Sequence, residues 1–457
     1  MKVKKLEEFL DKDLSDYAFY KLLTQIPNSI DGLGVTQRKI MTVMNKIPNK
    51  IVKTAQIYSY ILNETNYIHG DASAYNTAEN LAARYKNALN LLEPKANFGT
   101  RNIQSASSPR YTEFKLNDIS KYLFVKDDFD ILPEQKFEGD IIEPYYLAPI
   151  LPLGLINGNS GIAMGYSSKI LSRNPLEIFD LVVGILKKEI KQIPIRITPY
   201  IPYFKGNIEP GKNPKQWIFK GIIEKGKRNT LIIKEVPFYS REKYVDSVIN
   251  NLIDSGVIKS WSDNCKKNNF EFSVKVSKDI YDLSEDKLLD MFGLIVTQTE
   301  TLTFLDRTYE SIELLEYNNI AEYLKDWFSF RAKVYQRRKV YIENKMKFDI
   351  QVLENKIKFL TDVINGDVVV MKAKKKDIVK TLEDKEYLKV QDSYDYLLNI
   401  SIYNLTEDKL LDLNNTLKKK YKDYEDYKNK SISEIWLEDL EPLRELIIKD
   451  IKVKSPN

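Results

Sequence analysis

Residues 320–365 contain neither glycine nor proline, and within them apolar side chains recur at Ile342, Met346, Ile350, Leu353, Ile357, Leu360 and Ile364, in steps of four and three. Side chains at that spacing share one face of a helix, and a seam sustained this long is that of a coiled coil. At about 1.5 Å rise per residue such a helix reaches roughly 70 Å. It needs a partner, and residues 406–427, with Leu410, Leu413, Leu417 and Tyr421, supply one running back. Between them residues 366–404 carry VVVM and YDYLLNISIY, short apolar runs suited to a small tip. The expectation is a long antiparallel stalk with an apolar end, an arrangement that also serves as a plain oligomerisation arm.

A chain of 457 residues exceeds what one core usually supports, so two to four domains are expected. No apolar run is long enough for a membrane span, and the opening MKVKKLEEFLDKDL lacks the apolar stretch of a signal peptide. The single cysteine, Cys265, excludes internal disulfides and thiolate metal clusters, which fits a reducing cytoplasm. With His69 the only histidine, the usual zinc ligands are too few. The net charge of +5 makes no whole-chain argument for nucleic acid. Locally, residues 37–115 hold eleven Lys and Arg against five Asp and Glu, whereas residues 116–144 hold three against eight. The basic part is where phosphates would be met.

That part contains ANFGTRNIQSASSPRYTEFKL, residues 96–116. A phenol attacks phosphorus only when its proton is removed and the charge growing on the phosphoryl oxygens is met by cations. Tyr111 follows Arg110 directly, after a run of Gly, Ser and Ala small enough to let a nucleic-acid backbone approach. The same residues also read as an ordinary loop entering a strand. Upstream, residues 3–25 are spaced as an amphipathic helix, Asp31-Gly32 marks a turn, and residues 36–44 suit a short helix with Arg38 and Lys39 on its first turn. Residues 50–65 and 75–92 suit two more helices, followed by hairpin patterns near 110–150. Short helices and hairpins in that order suggest a winged helix, with the helix that begins near Lys53 against a duplex.

The segment around Arg110 and Tyr111 resembles the active-site tyrosine region of the DNA-cleavage subunit of type IIA topoisomerases. Further motifs agree in order: D-G-x-G-V-x-Q-R-K at 31–39, H-G-D at 69–71, E-P-x-Y-x-x-P-I-L-P at 143–152 and N-G-x-x-G-I-A-x-G at 157–165. The last two are similar to the eukaryotic and T-even phage branches. Gly34-Val35 stands where the family usually has Lys-Pro, and Thr24 where it commonly has arginine. The resemblance implies that Tyr111 is the nucleophile, that Arg110 and His69 stabilise the transition state, that Arg38, Lys39, Lys53 and Arg101 contact DNA, and that Ile162 wedges between base pairs and bends the duplex. Without the other motifs Ile162 also fits a buried strand-turn-strand. In 175–312, alternating patterns with helices near 241–255 and 284–292 correspond to the family's tower. The turn at Lys225, Lys227 and Arg228 there faces either outer DNA or solvent.

The fold expected is α+β and multidomain. Its parts are an N-terminal helix (1–24), a winged-helix catalytic DNA-binding domain (25–165), an α+β tower domain (166–312), an ascending coiled-coil helix (313–365), a helical dimerisation tip (366–404), and a returning helix with a C-terminal segment (405–457). No Walker loop is found, and no Glu plus Asp-x-Asp cluster of the TOPRIM type. The resemblance therefore implies that Mg²⁺ and ATP are held by a separate large subunit with TOPRIM and ATPase parts. Implied partners are double-stranded DNA, that subunit, and a second copy joined through winged-helix and exit-gate regions. No β-pinwheel follows the stalk, so supercoiling by wrapping is not expected. The function implied is the breakage-reunion subunit of an ATP-dependent type II topoisomerase, a size match to the T-even medium subunit. The alternative is an architectural DNA-binding dimer that keeps the fold without the chemistry.

Overall fold

A computed structural model describes residues 9–137, 140–307, 312–370, 373–400 and 407–454. The chain forms two compact units, Met1–Ala332 with Trp436–Asn457, and Lys333–Ile435. The fold is mixed α+β, as expected.

In the first unit, the helices Val35–Lys46, Thr54–Glu64 and Asp71–Ala82 bury Ile40, Met41, Met44, Ile57, Ile61, Ala74, Ala78 and Leu81. A three-stranded antiparallel sheet lies with them, its central strand Glu113–Leu116 flanked by Val52–Lys53 and Leu92–Pro94. Phe114, at the centre, pairs with both Val52 and Pro94 and is fully buried. The third helix, expected over 75–92, instead begins at Asp71 and stops at Ala82. Asp71 favours the start because an acid meets the helix's positive end. Asparagines make the stop: Asn87 Nδ2 donates to the carbonyls of Asn80 and Ala83, and Asn90 Nδ2 to that of Ala82.

The Asp31-Gly32 turn is a close backbone crossing. Gly32 has φ +67°, and a Cβ there would lie 2.1 Å from Gly154 Cα. A Cβ on Gly161 would sit 2.0 Å from the Gln25 carbonyl oxygen. Gly32 thus admits the Leu153-Gly154 backbone, Gly161 lets the hairpin Asn159–Ile162/Ser167–Ile170 lie against the chain entering the turn, and Asn159 Nδ2 ties that hairpin to the Gly32 carbonyl.

The 175–312 region departs from its expectation at the start. Pro175–Leu186 is a helix rather than part of an alternating pattern. Asn174 caps it by accepting from the Leu176 amide, proline occupies the first turn where no donor is needed, and Ile178, Phe179, Leu181 and Val182 are buried. Beyond it stand a four-stranded sheet in the order Ile222–Lys225, Thr230–Glu235, Phe272–Lys275, Ser260–Asp263, and a three-stranded one in the order Ile295–Thr299, Gln216–Lys220, Asn207–Pro210. Leu231, Ile233, Tyr244, Phe272 and Phe292 centre a shared core. Helical backbone runs from Arg241 through Asp254 and again over Glu285–Met291, close to the expected places.

The long helix spans Ile320–Ile364, 45 residues, and its return partner Glu407–Asn429. In the second unit the antiparallel register is fixed by Lys339 Nζ donating to the Lys428 carbonyl (2.8 Å), the Lys420–Asp349 pair (3.4 Å) and the Tyr421 hydroxyl donating to Glu354 (2.5 Å). The tip buries Phe359, Val368, Leu382, Tyr387 and Leu397, with Lys375–Asp384 its main helix. The expected apolar residues Met371 and Ile402 lie outside the described residues. After Lys430 the C-terminal segment forms two helices, Ile432–Leu440 and Leu443–Lys454, parted by a turn at Glu441-Pro442. Their residues from Trp436 on belong to the first unit: Trp436 is buried beside Trp327 and donates to the Ile150 carbonyl at 3.0 Å. Among the described residues, no helix is long and apolar enough to cross a membrane.

The Gly32 crossing makes a testable demand. Gly32→Ala should lower stability by about 3 kcal/mol, since it adds a backbone clash to a strained φ. Gly70→Ala, at negative φ with open space around it, should cost less than about 1 kcal/mol. Denaturant melts of the two variants check the contrast, and equal effects would refute it.

Candidate functional site

Tyr111 stands on a turn between the small-residue loop and the central strand. Its amide donates to the Ser108 carbonyl at 2.8 Å. On one side the Ala55 amide donates to the Pro109 carbonyl (3.1 Å), and on the other the Thr54 amide donates to that of Thr112 (2.9 Å). The first amides of a helix have no partner within it, so the start of the Thr54–Glu64 helix grips the chain on both sides of Tyr111. The ring is held outward, 69% exposed, with the Arg110 guanidinium 5.8 Å from its centroid. A cation at that range attracts the ring face and lies where an approaching anion would meet it. Lys53, just before the helix, is exposed and pairs in register with Glu113.

The preceding loop is built to reach Tyr111 from a distant anchor. Gly99 has φ +86°, and a Cβ there would press on the Ile103 and Ser105 carbonyls. Arg101, expected to touch DNA, is buried. Its guanidinium pairs with Glu235 at 2.7 Å, donates to the Val236 and Tyr203 carbonyls, and lies between the rings of Phe204 and Phe270. Burial pushes the Glu235 carboxyl up, with Arg101 opposing.

Arg38 and Lys39 differ from expectation in the same way. Arg38 is buried with two bonds to Asp31 (2.6 and 3.0 Å) and one to the Leu33 carbonyl. Burial disfavours its charge, but Asp31 and Glu143 more than offset this and its pKa is raised. Lys39 is buried against Glu143 of the E-P segment. Both side chains were expected on an open helix start. The physical reason they turn inward is that Asp31 and Glu143 are themselves buried and require cations.

His69 is exposed just before the Asp71–Ala82 helix. Its Nε2 shares a 3.1 Å hydrogen bond with the Tyr20 hydroxyl, and Tyr67 meets its ring edge-on at 5.6 Å. Its described contacts are to these two tyrosines rather than to Arg110 or Tyr111, and with Arg38 and Lys39 it lines one cleft. Ile162 stands at a hairpin tip, 78% exposed, beside exposed Met164 and Tyr166. The tip closes through the Ala163 amide donating to the Tyr166 carbonyl, with Gly165 at φ +79°. This settles the buried strand-turn-strand alternative against burial.

Sequence reasoning passed over Thr54, Thr112, Tyr20 and Asp31 as functional supports. Asp31 belonged to the marked turn, and Thr54 and Thr112 adjoined Lys53 and Tyr111, residues already singled out, whereas Tyr20 carried no such signal. Among the described residues no group of three or more His, Cys, Asp or Glu could hold a metal ion.

Comparison with known proteins places this geometry. Residues 25–441 match the family model for the A-type subunit of DNA gyrase/topoisomerase IV. The mitochondrial DNA topoisomerase 2 of Dictyostelium discoideum is 29% identical over 97% of this chain, which spans 35% of that protein. The DNA topoisomerase medium subunit of Enterobacteria phage T4 is 28% identical over 96% of this chain and 98% of its own length. A crystal structure of the DNA-binding, cleavage and re-ligation domain of Plasmodium falciparum topoisomerase II superposes with a TM-score of 0.88 at 30% identity, covering 98% of this chain and 65% of that one. The chain thus spans about a third of the cellular relatives but nearly all of the phage subunit. The motifs, the fold and these matches agree: the chain belongs to the family of the DNA gyrase/topoisomerase IV A-type subunits.

Proposed function

We propose that this chain is the DNA breakage-reunion subunit of a type II topoisomerase, active with a large subunit that carries the ATPase and TOPRIM parts. Tyr111 attacks a backbone phosphorus: the bond from its phenolic oxygen to phosphorus forms, the bond to the 3′ oxygen breaks, and the phenolic proton passes on to give a free 3′-OH. The product is a 5′-phosphotyrosyl link. It keeps the energy of the broken bond, so the reverse attack reseals the strand. Two copies cut opposite strands, a second duplex passes, and ATP hydrolysis on the partner drives the passage. ATP is bound by that partner and Mg²⁺ is held mainly there, where the metal would stabilise charge on the leaving 3′ oxygen.

The observation that carries the reading is the Arg110-Tyr111 pair on an exposed turn gripped by a helix start. Arg110 meets charge on the transferring phosphoryl group. His69 donates to the same oxygens once DNA fills the cleft it shares with Arg38 and Lys39. These two and Arg101 act mainly by holding the surrounding segments, and Lys53 faces the duplex. Ile162 enters between base pairs, unstacking them at a few kcal/mol and gaining contacts on the bent duplex.

Two outcomes are expected. With the large subunit, Mg²⁺ and supercoiled plasmid, detergent should trap protein on DNA, and Tyr111→Phe should abolish the trapping while leaving DNA affinity within about twofold. No trapping by wild type beside a bound, ATP-hydrolysing partner would favour the architectural DNA-binding dimer. Ile162→Ala should leave the melting temperature unchanged, because the side chain is exposed, yet reduce DNA bending measured by energy transfer between duplex ends. Unaltered bending would remove the wedge from the account.

A further inference from the structure

We propose that the buried hydroxyl pair of Thr54 and Thr112 is a positioning device that sets where the Tyr111 phenol points. The proposal rests on the nucleophile reading above and adds to it. Thr112 Oγ1 donates to Thr54 Oγ1 at 2.7 Å, and both residues are fully buried. The two residues are already joined through their backbones, by the Thr54 amide on the Thr112 carbonyl. Thr112 is therefore fixed to the helix start at two points, one on its main chain and one on its side chain.

The reason this bears on the reaction lies in what Tyr111 lacks. With 69% of its surface exposed and Arg110 its described ring partner, the tyrosine side chain has little packing to orient it. Its direction is inherited from the backbone of residues 109–112. Pro109 is held by one hydrogen bond from Ala55, and rotation about the peptide units between Pro109 and Thr112 would swing the phenolic oxygen through several ångströms. The hydroxyl pair opposes that rotation next to Tyr111. Reaction rates fall steeply when a nucleophile is displaced by about 1 Å from its line of attack, so a restraint at this point acts on the rate more than on DNA affinity. Thr54 and Thr112 are positioning residues, since neither touches DNA or phosphorus.

A buried hydroxyl pair also contributes to folding, and the test separates the two effects. Thr112→Val leaves the Thr54 hydroxyl buried without its donor and lowers stability. Thr54→Val/Thr112→Val removes both polar groups while keeping their shape, a change that is close to neutral for stability. The measurement is the single-turnover rate of covalent adduct formation on supercoiled plasmid at saturating DNA, with Mg²⁺ and the large subunit, beside DNA affinity and the melting temperature. The double variant should melt near wild type and bind DNA within about twofold, yet cleave at least about tenfold more slowly. Thr112→Ser, which keeps the donor, should recover most of the rate. Wild-type cleavage by the double variant, or a slow Thr112→Ser, overturns the positioning role alone. Absence of adduct from wild type, or its persistence in Tyr111→Phe, overturns it together with the nucleophile reading.

Discussion

The Asp31 carboxylate is the interaction on which the architecture around Tyr111 depends. It is fully buried and accepts four hydrogen bonds: from Arg38 Nε and Nη2, from the Leu33 amide, and from the Leu147 amide at 2.9 Å. One side chain thereby joins the Gly32 turn, the Val35–Lys46 helix and the E-P-Y-Y-L-A-P-I-L-P segment. A parallel link runs from Lys39 to Glu143 in that same segment. The long helix adds to the junction, with Tyr323 and Trp327 donating to the Ser29 and Ile30 carbonyls. A buried carboxylate is tolerated only when paired and fully hydrogen-bonded, and removing one partner typically costs about 3–5 kcal/mol.

This arrangement explains how the basic charge of residues 37–115 is divided. Several cations neutralise buried acids and hold segments together, as Arg38, Lys39 and Arg101 do. Others, Lys53 and Arg110, lie toward the exposed turn. The DNA-facing field is therefore smaller than a count of lysine and arginine implies, and the proposed cleavage site has the character of a few groups on a rigid frame. The gripped turn at Tyr111 and the glycine-seated hairpin at Ile162 share that design: an exposed functional side chain on a backbone that cannot readily shift.

What the sequence revealed depended on whether a signal was local or distant. The stalk was legible because its periodicity lies within one helix, and the glycine- and proline-free run 320–365 that holds the seam matches Ile320–Ile364 within one residue. Tyr111 and Ile162 were legible because motifs of small residues surround them. The inward turn of Arg38, Lys39 and Arg101 was not, since their partners Glu143 and Glu235 lie more than a hundred positions away for two of them. A lysine or arginine at a helix start reads alike whether it meets phosphate or carboxylate. The end of Asp71–Ala82 and the start of Pro175–Leu186 were missed because asparagine side chains set them, and propensity alone does not register a cap.

The central claim is that Tyr111 becomes covalently attached to a DNA 5′ end. The direct measurement is to trap the complex formed with the large subunit, digest protein and DNA, and sequence the nucleotide-linked peptide by mass spectrometry. The account predicts one modified residue, Tyr111, joined through phosphate to the 5′ carbon, with an extendable 3′-OH on the other side of the break. A link through another residue, or to a 3′ end, would contradict it.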